Sequence, residues 1–162
     1  MKAGYVIGAS GLFGAAALAV FAQDAGKGAT PDLAGLSILG EPVTQTMVDT
    51  GAEIYETSCA SCHGAELEGQ PDWRRRTEDG RMPAPPHDNS GHTWHHTDQA
   101  LFTITKFGVG AVVPGYESDM PAFGEVLSDE EIAAVLAYIK TSWSERERAF
   151  QAEVTANAED KS

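Results

Sequence analysis

Cysteine is nearly absent from this 162-residue chain, which has two, Cys59 and Cys62, and no third. A four-ligand zinc site would need a second cysteine cluster, and there is none. A disulfide between residues so close together would close a tiny loop and constrain the unfolded chain little, so as a structural staple it would be poor. Basic residues are also scarce, 11 against 24 acidic ones, for a formal charge of −13. Such a surface repels nucleic acid phosphates and anionic membranes and favours partners with a basic docking face. No segment reads as a strand, and no internal repeat is found. What remains, 42% apolar and 22% charged residues, suits one modest domain with a real core and is too short for two comfortable ones.

Charge is missing altogether from Gly4 to Ala22, behind the single basic Lys2. One basic residue, an apolar run and small residues before a polar stretch describe a secretory signal, so residues 1–22 are expected to be cleaved before Gln23. The alternative is an uncleaved anchor, since about 20 apolar residues span a bilayer. Either way the bulk of the chain is exported, and cleavage would take the charge from −13 to −14 by removing Lys2. Residues 23–43 read as a linker rich in Gly and Pro. Residues 44–150 form the folded domain, and 151–162 a polar tail unable to bury enough to order itself.

Within the domain, Thr44 or Thr46 is placed to cap a helix in which Met47, Gly51, Ile54 and Tyr55 recur at helical spacing and which runs into Cys59. Gly64–Ser90 and Gly108–Phe123 have no lasting period and read as loops. A short helix is predicted from Thr97 or Asp98 to Phe107. The last helix has the clearest start, a Ser128–Glu131 capping box. Ile132, Val135, Leu136, Ile139 and Trp143 then make one apolar stripe. The stretch from Ser144 to Val154 is expected to prolong that helix.

The two cysteines stand in Cys59-Ala60-Ser61-Cys62-His63. A C-x-x-C followed at once by His is the attachment sequence of haem c. Each thiol adds to one vinyl group, pinning the porphyrin by an edge, and the next residue lies under the iron as an imidazole ligand. A redox-active dithiol is the rival reading. From the attachment motif outward, Thr44 to Phe150 resembles the class I c-type cytochromes, of the monohaem bacterial periplasmic kind. The helix before the motif, the loop-rich middle, a Met-Pro pair and a closing amphipathic helix come in that family's order.

The resemblance implies an all-α fold wrapped around one covalent haem c, with the first and last helices crossing at Gly51, Tyr55 and Tyr138. It implies His63 and Met120 as the iron's ligands. Met82 also precedes a proline, but Met120 lies 57 residues past His63, in the loop ahead of the last helix where the family places its ligand, and Met82 only 19. A family proline that accepts the proximal histidine's free N–H matches Pro85 or Pro86. If it is Pro85, His87 stands where the family has leucine. Trp94 is the resemblance-based donor to the haem propionates, with Arg81 second, and Arg74–Arg76 read as a solvated loop face. With both axial positions filled there is no vacancy for substrate. The implied function is therefore a periplasmic one-electron carrier, soluble or tethered, and not an enzyme. Its donor would be a quinol-oxidising complex or a dehydrogenase, its acceptor a terminal oxidase or reductase. The alternatives are a haem c subunit fixed in a larger membrane redox complex and a peroxidase-like enzyme with an open sixth site. Membrane contact is expected only if residues 1–22 are retained. The histidines His92, His95 and His96 are expected to tune the haem and not to hold a second metal.

Overall fold

The computed structural model describes Met1 and residues 31–160, so the predicted signal and the start of the linker lie outside the described residues. Thr44 does cap the first helix, α1 (Gln45–Ile54), its hydroxyl accepting from the Met47 amide at 3.2 Å. The backbone then widens into a π turn (Tyr55–Cys59) and tightens again as α2 (Ala60–His63), so the helical rise continues through the cysteines to Gly64, whose positive φ of 82° ends it. Helices α3 (Asp98–Phe107, capped by Thr97) and α4 (Asp129–Thr141, with its Ser128–Glu131 capping box) follow as the sequence predicts. The stripe Ile132, Val135, Leu136, Ile139 and Trp143 is buried throughout. Among the described residues the fold is all-α but for one small hairpin. Among the described residues no helix is long and apolar enough to cross a membrane.

Gly51 decides how closely α1 crosses α4. A Cβ built there would stand 2.1 Å from the Ala134 carbonyl oxygen and 2.9 Å from the Tyr138 Cβ, so only glycine lets the two backbones meet. One turn on, the rings of Tyr55 and Tyr138 pack with centroids 5.4 Å apart.

Three expectations are corrected. The last helix is not prolonged: α4 stops at Thr141, and α5 (Glu145–Glu159) begins anew after Ser144. Arg148 explains the corner, because its guanidinium donates to the carbonyls of Thr141 and Trp143, at 2.8 and 2.9 Å, which a continuous helix would have used itself. The segment from residue 151, expected to be a loose tail, is helical as far as Glu159. Gln151 is only 1% exposed and donates to Asp98 Oδ1 at 2.6 Å. The linker, finally, is core from Leu36 onward. Leu36, Ile38 and Val43 are buried, and β1 (Ser37–Ile38) pairs antiparallel with β2 (Glu41–Pro42) around Leu39 and Gly40, both at positive φ. The Leu39 amide donates to Asp98 Oδ2 at 2.9 Å.

Those last two corrections share one cause. Lys140 on α4 donates to the Ser37 carbonyl at 2.6 Å and pairs with Asp98 at 2.7 Å, both side chains being 4% exposed. Burial pulls the Lys140 ammonium below its ordinary range while Asp98 pushes it back up. Thr155 accepts from the Asp98 amide at 3.2 Å. A buried ion pair tolerates desolvation only where its remaining donors and acceptors are satisfied, and here the hairpin and α5 supply the partners.

Candidate haem-binding site

A cavity of about 480 Å³ opens between the attachment motif, α3 and α4, a size usual for a cofactor pocket. Cys59, Cys62 and His63 line one end. Leu101 and Ile104 from α3 and Val135, Leu136 and Ile139 from α4 make an apolar wall. The amphipathic period of α4 thus turns the same stripe that builds the core toward the cavity.

His63 is buried, and its Nδ1 lies 2.9 Å from the Pro85 carbonyl oxygen. A carbonyl only accepts, so Nδ1 carries the proton and Nε2 keeps its lone pair. Burial lowers the pKa of this imidazole and the Pro85 bond only partly offsets it, so the ring is neutral and fit to ligate a metal. Of the two candidate prolines, Pro85 holds this bond. Tyr55 adds a brace just past the motif, its hydroxyl donating to the Gly64 carbonyl at 2.9 Å.

Neither cysteine is in a disulfide. Burial, and secondarily Cys62, push the Cys59 thiol up to about 11. A raised pKa makes Cys59 a poor attacking thiolate at neutral pH.

The other candidates divide. Met120, half-buried, and Met82 both line the cavity. Trp94 does not: its ring packs on His95 and Phe150, with centroids 3.8 and 5.4 Å away, and its buried Nε1 has no partner. Arg81 is also outside the lining, at the surface, paired with Asp119. The structure therefore does not bring the two expected propionate donors to the cavity wall. In their place stand Trp73 and His92, stacked with centroids 5.3 Å apart and both on the lining. Trp73 was hidden in a loop without periodicity; its only signal is a large aromatic among glycines, prolines and charges. His92 Nδ1 is buried with no hydrogen-bond partner. His92 also faces His96 at 5.4 Å, while His95 turns to Trp94 and Phe150. The arginine run is exposed, as a solvated loop face would be, and Arg74 lies 4.2 Å over the Trp73 ring and Arg76 5.8 Å over that of Tyr116.

These features suit haem c. Two cysteines and a neutral imidazole line one largely apolar cavity, where a planar apolar group would find attachment, a ligand and packing.

Comparison with known proteins agrees. The chain is 28% identical over 141 residues to the fructose dehydrogenase cytochrome subunit of Gluconobacter japonicus, covering 84% of this chain and 26% of that protein. It is 30% identical over 105 residues to the cbb3-type cytochrome c oxidase subunit CcoP of Rhodobacter capsulatus and 26% over 105 residues to subunit FixP of Sinorhizobium medicae. Those matches cover 64% and 63% of this chain and 32% of each relative. The chain thus spans about a quarter to a third of the length of these relatives. No solved structure matches. The family described as cytochrome c oxidase, cbb3-type, subunit III matches residues 46–139, from the first turn of α1 to the last of α4, and the chain belongs to that family of c-type cytochromes, whose domain carries a covalently bound haem c.

Proposed function

We propose that this chain is a periplasmic one-electron carrier in which His63 and Met120 fill both axial positions of the haem. The observation that carries the reading is the placement of a neutral, ligand-competent His63 and of Met120 on one cavity. The haem supplies a reversible one-electron couple. The residues of the chain do the rest: Cys59 and Cys62 hold the group by covalent bonds, Pro85 fixes the tautomer of His63, the α3 and α4 walls exclude water, and the thioether of Met120 favours the ferrous state. With no vacant coordination position, substrate chemistry has nowhere to begin.

Met120→Ala tests this. The variant is expected to lose the weak near-infrared sulfur-to-iron band, to lower its reduction potential and to gain reactivity toward peroxide, while Met82→Ala keeps all three properties of the parent. The opposite pattern would assign the ligand to Met82. Peroxide turnover by the unsubstituted protein would favour the peroxidase-like alternative.

A second reading is favoured by the relatives, each of which is named as a subunit: the chain serves as a fixed haem c subunit of a membrane redox complex. A protein purified with its first 22 residues intact and with partner chains bound supports that reading; a processed, single chain supports the mobile carrier.

A further inference from the structure

His87 is not needed for attachment or ligation, yet it is held as firmly as any residue of the site. Its amide donates to the Leu67 carbonyl at 2.8 Å, just after the attachment motif, and its own carbonyl accepts from Trp143 Nε1 at 2.8 Å, at the corner between α4 and α5. The side chain is anchored too. Its Nδ1 lies within hydrogen-bond distance of Thr93 Oγ1, at 2.7 Å. So fixed, the ring lies against His63 with centroids 4.0 Å apart and planes 21° apart, while Tyr55 meets it edge-on at 6.4 Å.

The geometry of His63 shows what this stack adds. A hydrogen bond from Nδ1 to the Pro85 carbonyl fixes one point of the imidazole and leaves the ring able to swivel about the N–H···O direction. A flat surface against its face removes that freedom. Leucine, which the family resemblance expects at this position, presents rounded methyl groups and defines no plane.

We infer that His87 is a positioning residue for the proximal ligand, whose stacked imidazole sets the rotation of the His63 ring about its hydrogen bond to Pro85. This rests on the reading of His63 as an iron ligand. The consequence is electronic, because the plane of an axial imidazole selects which iron orbital shares its unpaired electron with the porphyrin.

The test is proton NMR of the ferric holoprotein, in which the order and spread of the paramagnetically shifted haem methyl resonances report axial ligand planes. His87→Leu is expected to change that order and spread. His87→Phe, which restores a flat ring, is expected to keep the parental order. Thr93→Val leaves the imidazole in place but frees it, and is expected to shift the methyls in the direction of His87→Leu; it also serves if His87→Leu does not fold. Methyl shifts unchanged in both His87→Leu and Thr93→Val would overturn the inference. If the unsubstituted protein shows no histidine ligand signature, the ligand reading falls and this inference with it; an intact signature beside unchanged variants overturns the positioning role alone.

Discussion

Four of the chain's imidazoles, His63, His87, His92 and His96, are held below their ordinary pKa, in each case first by burial; neighbouring charges add to it at His87, His92 and His96, whereas the Pro85 carbonyl opposes it at His63. The sign follows directly. Between the lowered folded values and the unfolded value near 6.5, the unfolded chain binds more protons than the folded one, so stability is complete above about pH 6.5 and is lost as the pH falls below it. Each such residue contributes up to about 1.4 kcal/mol per pH unit within its window. With His63 as the proposed iron ligand, the other three are left to act in the holoprotein. Relief of repulsion among the 24 acidic residues opposes the loss, but it begins only near the carboxylate range around pH 4. The urea midpoint of the holoprotein is therefore expected to fall between pH 7.5 and 5.5, and to fall less in His92→Gln. A flat or rising midpoint on acidification would show that these rings are hydrated. At this scale the sequence was readable wherever chemistry is local. Cys59, Cys62 and His63 announce themselves because the attachment needs them adjacent. Pro85 could not be told from Pro86, because the choice is a contact across 22 residues, and Trp73 lacks any pattern that a linear reading detects.

At the scale of elements, caps were legible and corners were not. Thr44, Thr97 and Ser128 mark helix starts because an N-cap acts on amides two or three residues away. The turn between α4 and α5 depends on Arg148 collecting carbonyls behind it and on the Ser144 amide reaching Asn89 Oδ1 at 3.0 Å, and no local period records that. One sign was present: Ser144-Glu145-Arg146-Glu147 repeats the spacing of the Ser128 capping box, although Ser144 Oγ contacts the Glu147 carboxylate and caps no amide of α5. The hairpin and the end of α5 were misread for a related reason. Both look polar or glycine-rich alone and become ordered through Asp98 and Lys140, which lie far away in sequence. A chain ending at residue 150 checks this. It loses Gln151 and Thr155, leaving part of Asp98 unsatisfied in a buried setting, at a cost of about 1–3 kcal/mol for each buried group left without a partner. The expected result is a holoprotein that still binds haem but unfolds at clearly lower urea. An unchanged midpoint would mean that the last turns add nothing to the fold. Gln151→Ala separates the loss of the Gln151 side-chain hydrogen bonds from the loss of the helix.

For the whole molecule, charge and shape at the cavity pull in different directions. A net charge of −13 attracts a basic partner from a distance. Yet Arg74 and Arg76 sit beside cavity-lining Trp73 and Tyr116, and the surface also carries exposed Phe107, Val113 and Val126. Long-range steering fades once ions screen it, and the screening length is about 8 Å at physiological salt. Apolar contact is indifferent to salt at these concentrations. If the acidic surface guides docking, the rate of electron exchange with a basic redox partner should fall as ionic strength rises from low to physiological values, most of the change appearing in the association rate. Reversing the local charge then distinguishes the global field from the immediate rim. Arg74→Glu with Arg76→Glu enlarges the acidic field and should speed low-salt association with a basic partner, leaving the high-salt rate near that of the parent. A slower low-salt rate in that double variant would mean that the two arginines themselves meet the partner, which must then present carboxylates. A rate flat across the whole salt range, in parent and variant alike, would place the docking energy in the exposed apolar residues instead.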